Sequence, residues 1–206
     1  MMESLLLAFC SLVSVFYREG HWDLFLLIAA AAFLIGLICK VAGEREKDKR
    51  LTRADSFLVV TLSWVVFSVI GSIPYIFIAG MDVHSAFFES ISGFTTTGAT
   101  CMTDVDAMPH DLLFWRSLTH WIGGIGIVVF SFALIPSYEM KSSNVFSAEV
   151  TGLGVDKLRP KIGDTARRLL LIYMFLTAVC ALCYWLGPMD TFDSVCHAMS
   201  TIATGG

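Results

Sequence analysis

The stretch Phe87-Phe88-Glu89-Ser90-Ile91-Ser92-Gly93-Phe94-Thr95-Thr96-Thr97-Gly98-Ala99-Thr100 decides how this sequence is read. Its first half continues an apolar, helix-like run from Val83 to Phe94 that is too short to cross a bilayer, which needs about 20 residues. Its second half is a Thr/Gly tetrapeptide, and Gly supplies backbone conformations closed to other residues. A short apolar segment that breaks into such a loop suits a re-entrant element better than a span. Irregular backbone at membrane depth is tolerated only where protein or water covers it.

The flanking sequence supplies the membrane. Of 206 residues 56% are apolar and 16% charged, and the mean hydropathy is +0.72. That leaves little polar surface for a soluble domain. Apolar runs over Leu24–Ala42, Ser56–Ala79, Leu112–Ile135 and Leu169–Leu186 are each long enough to span as helices. Met1–Tyr17 is apolar but short. With no basic residue ahead of it and no cleavage signal after it, it reads as a membrane helix clipped at its start rather than a signal peptide.

Charge patterning orients these helices. Gly43–Asp55 carries Arg45, Lys47, Lys49, Arg50 and Arg53, and Glu139–Arg168 carries six more Lys and Arg. Gly80–Asp111 and Pro188–Gly206 carry none. The positive-inside rule puts the two basic loops and the N-terminus in the cytoplasm, and the two Thr/Gly segments outside. The basic runs flank apolar spans instead of forming one exposed face, so a nucleic-acid partner is not indicated. The six cysteines read as packed thiols, and Cys180-x-x-Cys183 lacks a second ligand pair.

The unit recurs. Span, external half-helix and Thr/Gly loop appear in Ser56–Ile135 and again in Leu169–Gly206. One alignment sets Ser92–Gly98 on Ser200–Gly206. Another, shifted by one, pairs Thr97-Gly98 with Thr204-Gly205, and both remain open. Parallel repeats about the membrane normal are a transporter device. Loops of this kind fit a dehydrated monovalent cation, because inward carbonyls and hydroxyls replace its water. A half-helix aims its negative C-terminal end at the same point. External acids Asp82, Asp104 and Asp106 would gather cations at the mouth. The bland alternative for Thr95–Gly98 is a plain helix cap and turn; its recurrence favours the cation site. Catalysis within the membrane is not indicated, since the spans hold no mid-depth acid pair and His120 has no nucleophile at helical spacing.

These residues resemble the first pore loop of the bacterial Trk-type potassium transporters, of the Trk/Ktr/HKT superfamily. Trp121–Ile127, Ala148-Glu149-Val150, Thr165-Ala166 and Ser200–Gly206 agree in order and spacing. Two helices ahead of the first repeat resemble the Trk branch rather than Ktr. The resemblance implies an all-α polytopic protein. It has two N-terminal helices in 1–42, a basic cytoplasmic loop 43–55 and a first repeat over 56–135. That repeat comprises span 56–79, half-helix 83–94, filter 95–100 and span 112–135. A connector 136–168 leads to an incomplete second repeat over 169–206, with span 169–186, half-helix 191–201 and filter 203–206.

It further implies potassium uptake through filter carbonyls of Thr95, Thr96, Thr97, Gly98, Ala203, Thr204, Gly205 and Gly206, with Gly98 and Gly206 as the filter glycines. No cofactor or transition metal is implied. Membrane lipid, a second copy and a cytoplasmic nucleotide-binding regulatory subunit are the implied partners. A sodium-permeable or ion-coupled cation transporter of the same superfamily, or a non-conducting membrane fragment, are the alternatives. The sequence departs from the family where it ends, within the second filter, and this polypeptide alone is expected not to conduct.

Glu89, Arg116, Gly123 and Gly124 read as structural support. Arg116 near the outer start of a span needs a partner, and Glu89, Asp104 and Asp111 are candidates. Gly123 and Gly124, with Gly126, allow close helix approach, with a hinge as the alternative. His120 reads as a packed, hydrogen-bonded group. Lys157–Lys161 reads as a solvated loop contacting lipid headgroups or the regulatory partner.

Overall fold

A computed structural model of the chain describes residues 2–44, 53–134 and 162–205. The expectations for Ala148-Glu149-Val150, for Lys157–Lys161, for Gly206, and for most of the two cytoplasmic loops lie outside the described residues. Among those residues the fold is all-helical: α1 Met2–Tyr17, α2 Trp22–Glu44, α3 Arg53–Gly71, α4 Ile73–Phe77, α5 Val83–Phe94, α6 His110–Leu134, α7 Ile162–Trp185 and α8 Thr191–Ile202.

Among the described residues three stretches are long and apolar enough to cross a membrane: Trp22–Gly43, Phe57–Phe77 and Arg167–Trp185. Their outward side chains, such as Leu27, Ile38, Leu58 and Phe175, are exposed, as a lipid-facing surface requires. The 25 residues of α6 would cover about 37 Å at 1.5 Å per residue. This helix buries apolar and polar side chains alike, Leu112, Trp115 and Leu118 among the former. It hides Asp111, Ser117, Thr119 and His120 inside the protein, because its neighbours are other helices.

Two spans differ from their sequence-based limits. The run over 56–79 is two helices, broken at Ser72. Pro74 has no N–H, and its ring conflicts with the carbonyl four residues back. The Ser72 N–H still donates to the Ser68 carbonyl at 3.0 Å and the Ile76 N–H to the Ser72 carbonyl at 3.2 Å, so the chain bends without leaving the span. The Trp115 indole N–H donates to the Gly71 carbonyl at this break, 3.0 Å away. α7 begins seven residues before the expected Leu169. Arg167 and Arg168 lie within its first turns, where long cationic side chains reach the interface.

α1 and α2 form a hairpin, and α1 also packs on α6. The packed face of α1 is small and polar: Glu3, Ser4, Leu7, Cys10, Ser11 and Ser14 recur at helical spacing. Lipid tails are as apolar as Leu, so close approach of small residues holds such an interface, not water exclusion. α6 lies at the centre, against α1, α5, α7 and α8. All six cysteines are free thiols, but only Cys10 and Cys196 are buried; Cys39, Cys101 and Cys183 are exposed, so the packed reading does not hold for these three.

The turn between α1 and α2 reaches back to start α6. Its first N–H groups have no partner within the helix. Glu19 supplies one: Oε1 accepts from the His110 N–H at 2.6 Å and Oε2 from the Asp111 N–H at 2.8 Å. Oε1 also lies 2.8 Å from His110 Nδ1. His110 in turn stacks on Tyr17, centroids 4.4 Å apart and planes 6° apart. Burial alone would raise the Glu19 carboxyl; the Asp111 and His110 N–H donors and the His110 ring outweigh it, and its pKa is lowered.

Glu19→Gln is therefore expected to lower stability by about 1 kcal/mol, the usual scale of a helix cap. A group with a lowered folded pKa stabilises fully above its unfolded value, about 4.3 for Glu. It loses that contribution as pH falls through the folded value. Thermal unfolding of the detergent-solubilised protein should show a gap between wild type and variant at pH 7 that closes as pH falls below the ordinary carboxyl range.

Candidate functional site

Both half-helices are built to one pattern. α5 and α8 each span 12 residues. Asp82 caps α5, accepting from the His84 and Ser85 N–H groups, and Asp190 caps α8, accepting from the Asp193 N–H. At the other end, the Thr96 N–H donates to the Gly93 carbonyl and the Thr97 N–H to the Ser92 carbonyl. In α8 the Thr204 N–H donates to Thr201 and the Gly205 N–H to Ser200. These are paired Schellman motifs. Asp82 and Asp190, Thr96 and Thr204, and Ser92 and Ser200 are all 108 positions apart, so the backbone follows the register that sets Ser92–Gly98 on Ser200–Gly206.

The residue just past each helix end is left-handed, with φ +56° at Thr96 and +61° at Thr204. Gly ordinarily takes this position, and a β-branched residue there is strained by about 1–3 kcal/mol. The same departure recurs at the same place in both repeats. Thr95 Oγ1 donates to the Ile91 carbonyl at 2.7 Å and lies 2.8 Å from Thr97 Oγ1. Thr95, Thr97 and Thr204 are exposed, Thr96 and Gly98 half-buried, and Ala203 and Gly205 buried.

The two loops meet backbone to backbone. Gly98 has φ +76°, and a Cβ placed on it would run into the Gly205 carbonyl oxygen. Two independent requirements thus converge on Gly98: its conformation and its neighbour. The C-terminal ends of α5 and α8, each with partial negative charge, are brought together by this contact.

α6 holds both loops. A Cβ on Gly123 would strike the Phe94 carbonyl, and one on Gly124 would lie 2.6 Å from the Tyr173 hydroxyl and 3.1 Å from Ala203 Cα. Gly93 similarly leaves no room for a Cβ beside Thr119 Oγ1. A Cβ on Gly126 would lie 3.2 Å from the Trp64 ring. The Tyr173 hydroxyl donates to the Trp121 carbonyl at 3.1 Å, and the Trp121 indole N–H donates to Thr177 Oγ1 at 3.1 Å. These bonds tie α7 to α6 beside the second loop.

Behind the first loop lies the buried pair. Glu89 is 1% exposed, and its Oε1 accepts from Arg116 Nε at 2.8 Å. Its Oε2 accepts from Thr100 Oγ1 at 2.9 Å and the Cys101 N–H at 3.0 Å. Of three candidate partners for Arg116, Glu89 is the one engaged. Asp111 Oδ2 lies 3.0 Å from His21 Nδ1, and Asp104 accepts from the Ala107 N–H in its own turn. Ser92 Oγ donates to the Ala99 carbonyl at 2.6 Å. The chain leaving the loop is therefore stitched to α5 at three consecutive residues, 99 to 101.

Sequence reasoning missed several of these parts. Ser92, Trp115, Tyr173 and the capping role of Asp82 and Asp190 went unassigned. Only the two aspartates left a readable signal, since each precedes a 12-residue segment and a Thr-containing turn.

The comparisons point one way. Residues 27–206 match the model of the TrkH family, described as cation transport protein. The chain is 41% identical over 198 residues to the Trk system potassium uptake protein TrkH of Salmonella typhimurium strain LT2, covering 95% of this chain and 41% of that one. It is 40% identical to TrkH of Escherichia coli K12, with the same coverage, and 34% identical over 197 residues to TrkG of the same strain, covering 94% of this chain and 40% of TrkG. The crystal structure of the potassium transporter TrkH from Vibrio parahaemolyticus superposes with a TM-score of 0.81 at 36% identity, over 98% of this chain and 40% of that one. The chain thus spans about two fifths of the length of the relatives it matches.

Two outcomes test the geometry. Removing one partner of a buried ion pair costs about 3–5 kcal/mol, so Arg116→Gln and Glu89→Gln should each sharply lower the thermal stability of the purified protein. The double variant should lose less than the sum of the two. Thr96→Gly, by contrast, should raise the unfolding temperature, because it relieves strain of about 1–3 kcal/mol at a left-handed position.

Proposed function

Since this chain belongs to the TrkH family of cation transport proteins, we propose that it carries two of the loops through which potassium crosses the membrane. The reading rests on one observation: two half-helices of identical design deliver their C-terminal loops to a backbone contact at Gly98 and Gly205. A cation leaving water needs replacement oxygens. Loop carbonyls of Thr95–Gly98 and Ala203–Gly206, with the negative ends of α5 and α8, would supply them. The names of the similar proteins, potassium uptake proteins of Trk systems, support potassium as the cargo.

The domain plan belongs to the same proposal. α1 and α2 precede the first repeat, α3 to α6 form it, and α7 with α8 begins the second. The loops would face the outside and the N-terminus the cytoplasm of a bacterial inner membrane, because Lys and Arg cluster in 45–53 and 141–168 while Gly80–Asp111 and Pro188–Gly206, the segments that hold the loops, carry none. The basic cytoplasmic segments would face a nucleotide-binding regulatory subunit, and a second copy would complete a homodimer.

The complete coding sequence should restore growth of a potassium-uptake-deficient bacterium in low-potassium medium. Gly98→Ala should abolish that growth while the protein still reaches the membrane, because a methyl group there displaces the Gly205 carbonyl. Equal growth with Gly98→Ala would count against a filter at this position.

A further inference from the structure

We propose that His120 is a positioning residue that sets the second loop against the first and thereby contributes to the discrimination between potassium and sodium. The inference rests on the filter reading given above and concerns a side chain that forms no part of the filter itself. His120 lies on α6, the return helix of the first repeat, yet it is engaged by the second. It is 1% exposed. Its Nδ1 lies 3.1 Å from Ser200 Oγ. Ser200 is also the residue whose carbonyl accepts the Gly205 N–H at 2.9 Å. The imidazole therefore holds the side chain of the residue that closes the Schellman motif of the second loop.

The ring also packs flat against that loop. A Cβ built on Gly205 would lie 3.0 Å from both Cγ and Cδ2 of His120 and 3.3 Å from Nδ1. The Gly205 carbonyl faces Gly98 on the other side. The Gly205 peptide is thus held between a ring of α6 and the backbone of the first loop. One turn further along, Gly123 and Gly124 fit α6 against Phe94 and Ala203. A single helix consequently references both loops, and His120 hydrogen-bonds the residue that anchors the second.

Selectivity among alkali ions depends on how the carbonyl ligands are arranged and how far they yield. A side chain that restrains the Gly205 carbonyl acts on that property, whereas a purely space-filling one acts on folding alone. The carbonyl would be free to move once the ring and its hydrogen bond are gone.

The test uses the complete protein in liposomes, with potassium and sodium fluxes measured separately. His120→Ala should keep a monodisperse protein but lower the potassium-to-sodium flux ratio by roughly fivefold, the scale of one neutral hydrogen bond. His120→Asn, whose amide can reach Ser200 Oγ, should keep most of the ratio. Gly205→Ala should impair potassium flux in the wild-type background and impair it less when combined with His120→Ala, which removes the ring it meets. An unchanged ratio in His120→Ala, or Asn performing no better than Ala, would overturn the assignment.

Should His120→Ala fail to fold, Ser200→Ala, which removes the hydroxyl that the ring holds, decides: a lowered ratio upholds the assignment and an unchanged one overturns it. A wild-type protein without potassium preference would sink the filter reading instead. The His120–Gly205 contact is then judged by thermal unfolding. A Gly205→Ala penalty that shrinks in the His120→Ala background upholds the contact, and additive penalties refute it.

Discussion

Glu89 is a carboxylate in a place water does not reach, and a charge so placed persists only when its partners replace the lost hydration. Arg116 neutralises one oxygen, and Thr100 with the Cys101 N–H satisfies the other. These contacts do more than stabilise a charge. α5 contributes the carboxylate, α6 the guanidinium, and the chain leaving the Thr/Gly turn the remaining donors. The first loop is suspended among the three. Its own backbone makes few bonds that would hold it open, and the left-handed Thr96 works against it. Polar networks of this kind have high stakes: fully satisfied they rigidify, and partly satisfied they fail.

A second constraint acts through absence of side chains. In lipid, helices gain little from hiding apolar surface, so intimate packing and hydrogen bonds carry association. Gly71, Gly93, Gly123 and Gly124 each sit where a Cβ would overlap or crowd a neighbour. Together they bring α3, α6 and the half-helices close enough that loop backbones touch. The polar side chains on the hidden face of α6 are the counterpart of that closeness, since each finds a donor or acceptor within the protein.

Much of this was legible in the residues. A segment too short to span, followed by Thr and Gly and repeated once, announces two short helices that end in matched turns, as α5 and α8 do. The limits of legibility are physical. Ser56–Ala79 reads as one helix because its apolar run is continuous, and only the missing N–H of Pro74 breaks it. The two possible repeat registers share similar side-chain matches, and backbone hydrogen bonds at Thr96 and Thr204 separate them. Arg116 has three acids in reach of any plausible fold, and sequence has no means of knowing that Asp111 and Asp104 are otherwise engaged. Glu19 capping a helix 91 residues away and His120 meeting Ser200 80 residues away leave no local trace at all.

The geometry of α6 also bears on how the chain tolerates change. An α-helix turns about 100° per residue, so adding or deleting one residue between Arg116 and Gly124 would rotate everything beyond it by that angle. The imidazole and the glycine pair would then face different neighbours from the guanidinium, and no side-chain adjustment could restore both loops at once. Length variation should therefore gather in the exposed turn around Thr103–Asp106, where the chain is outside the helices, while α6 keeps its length over that interval.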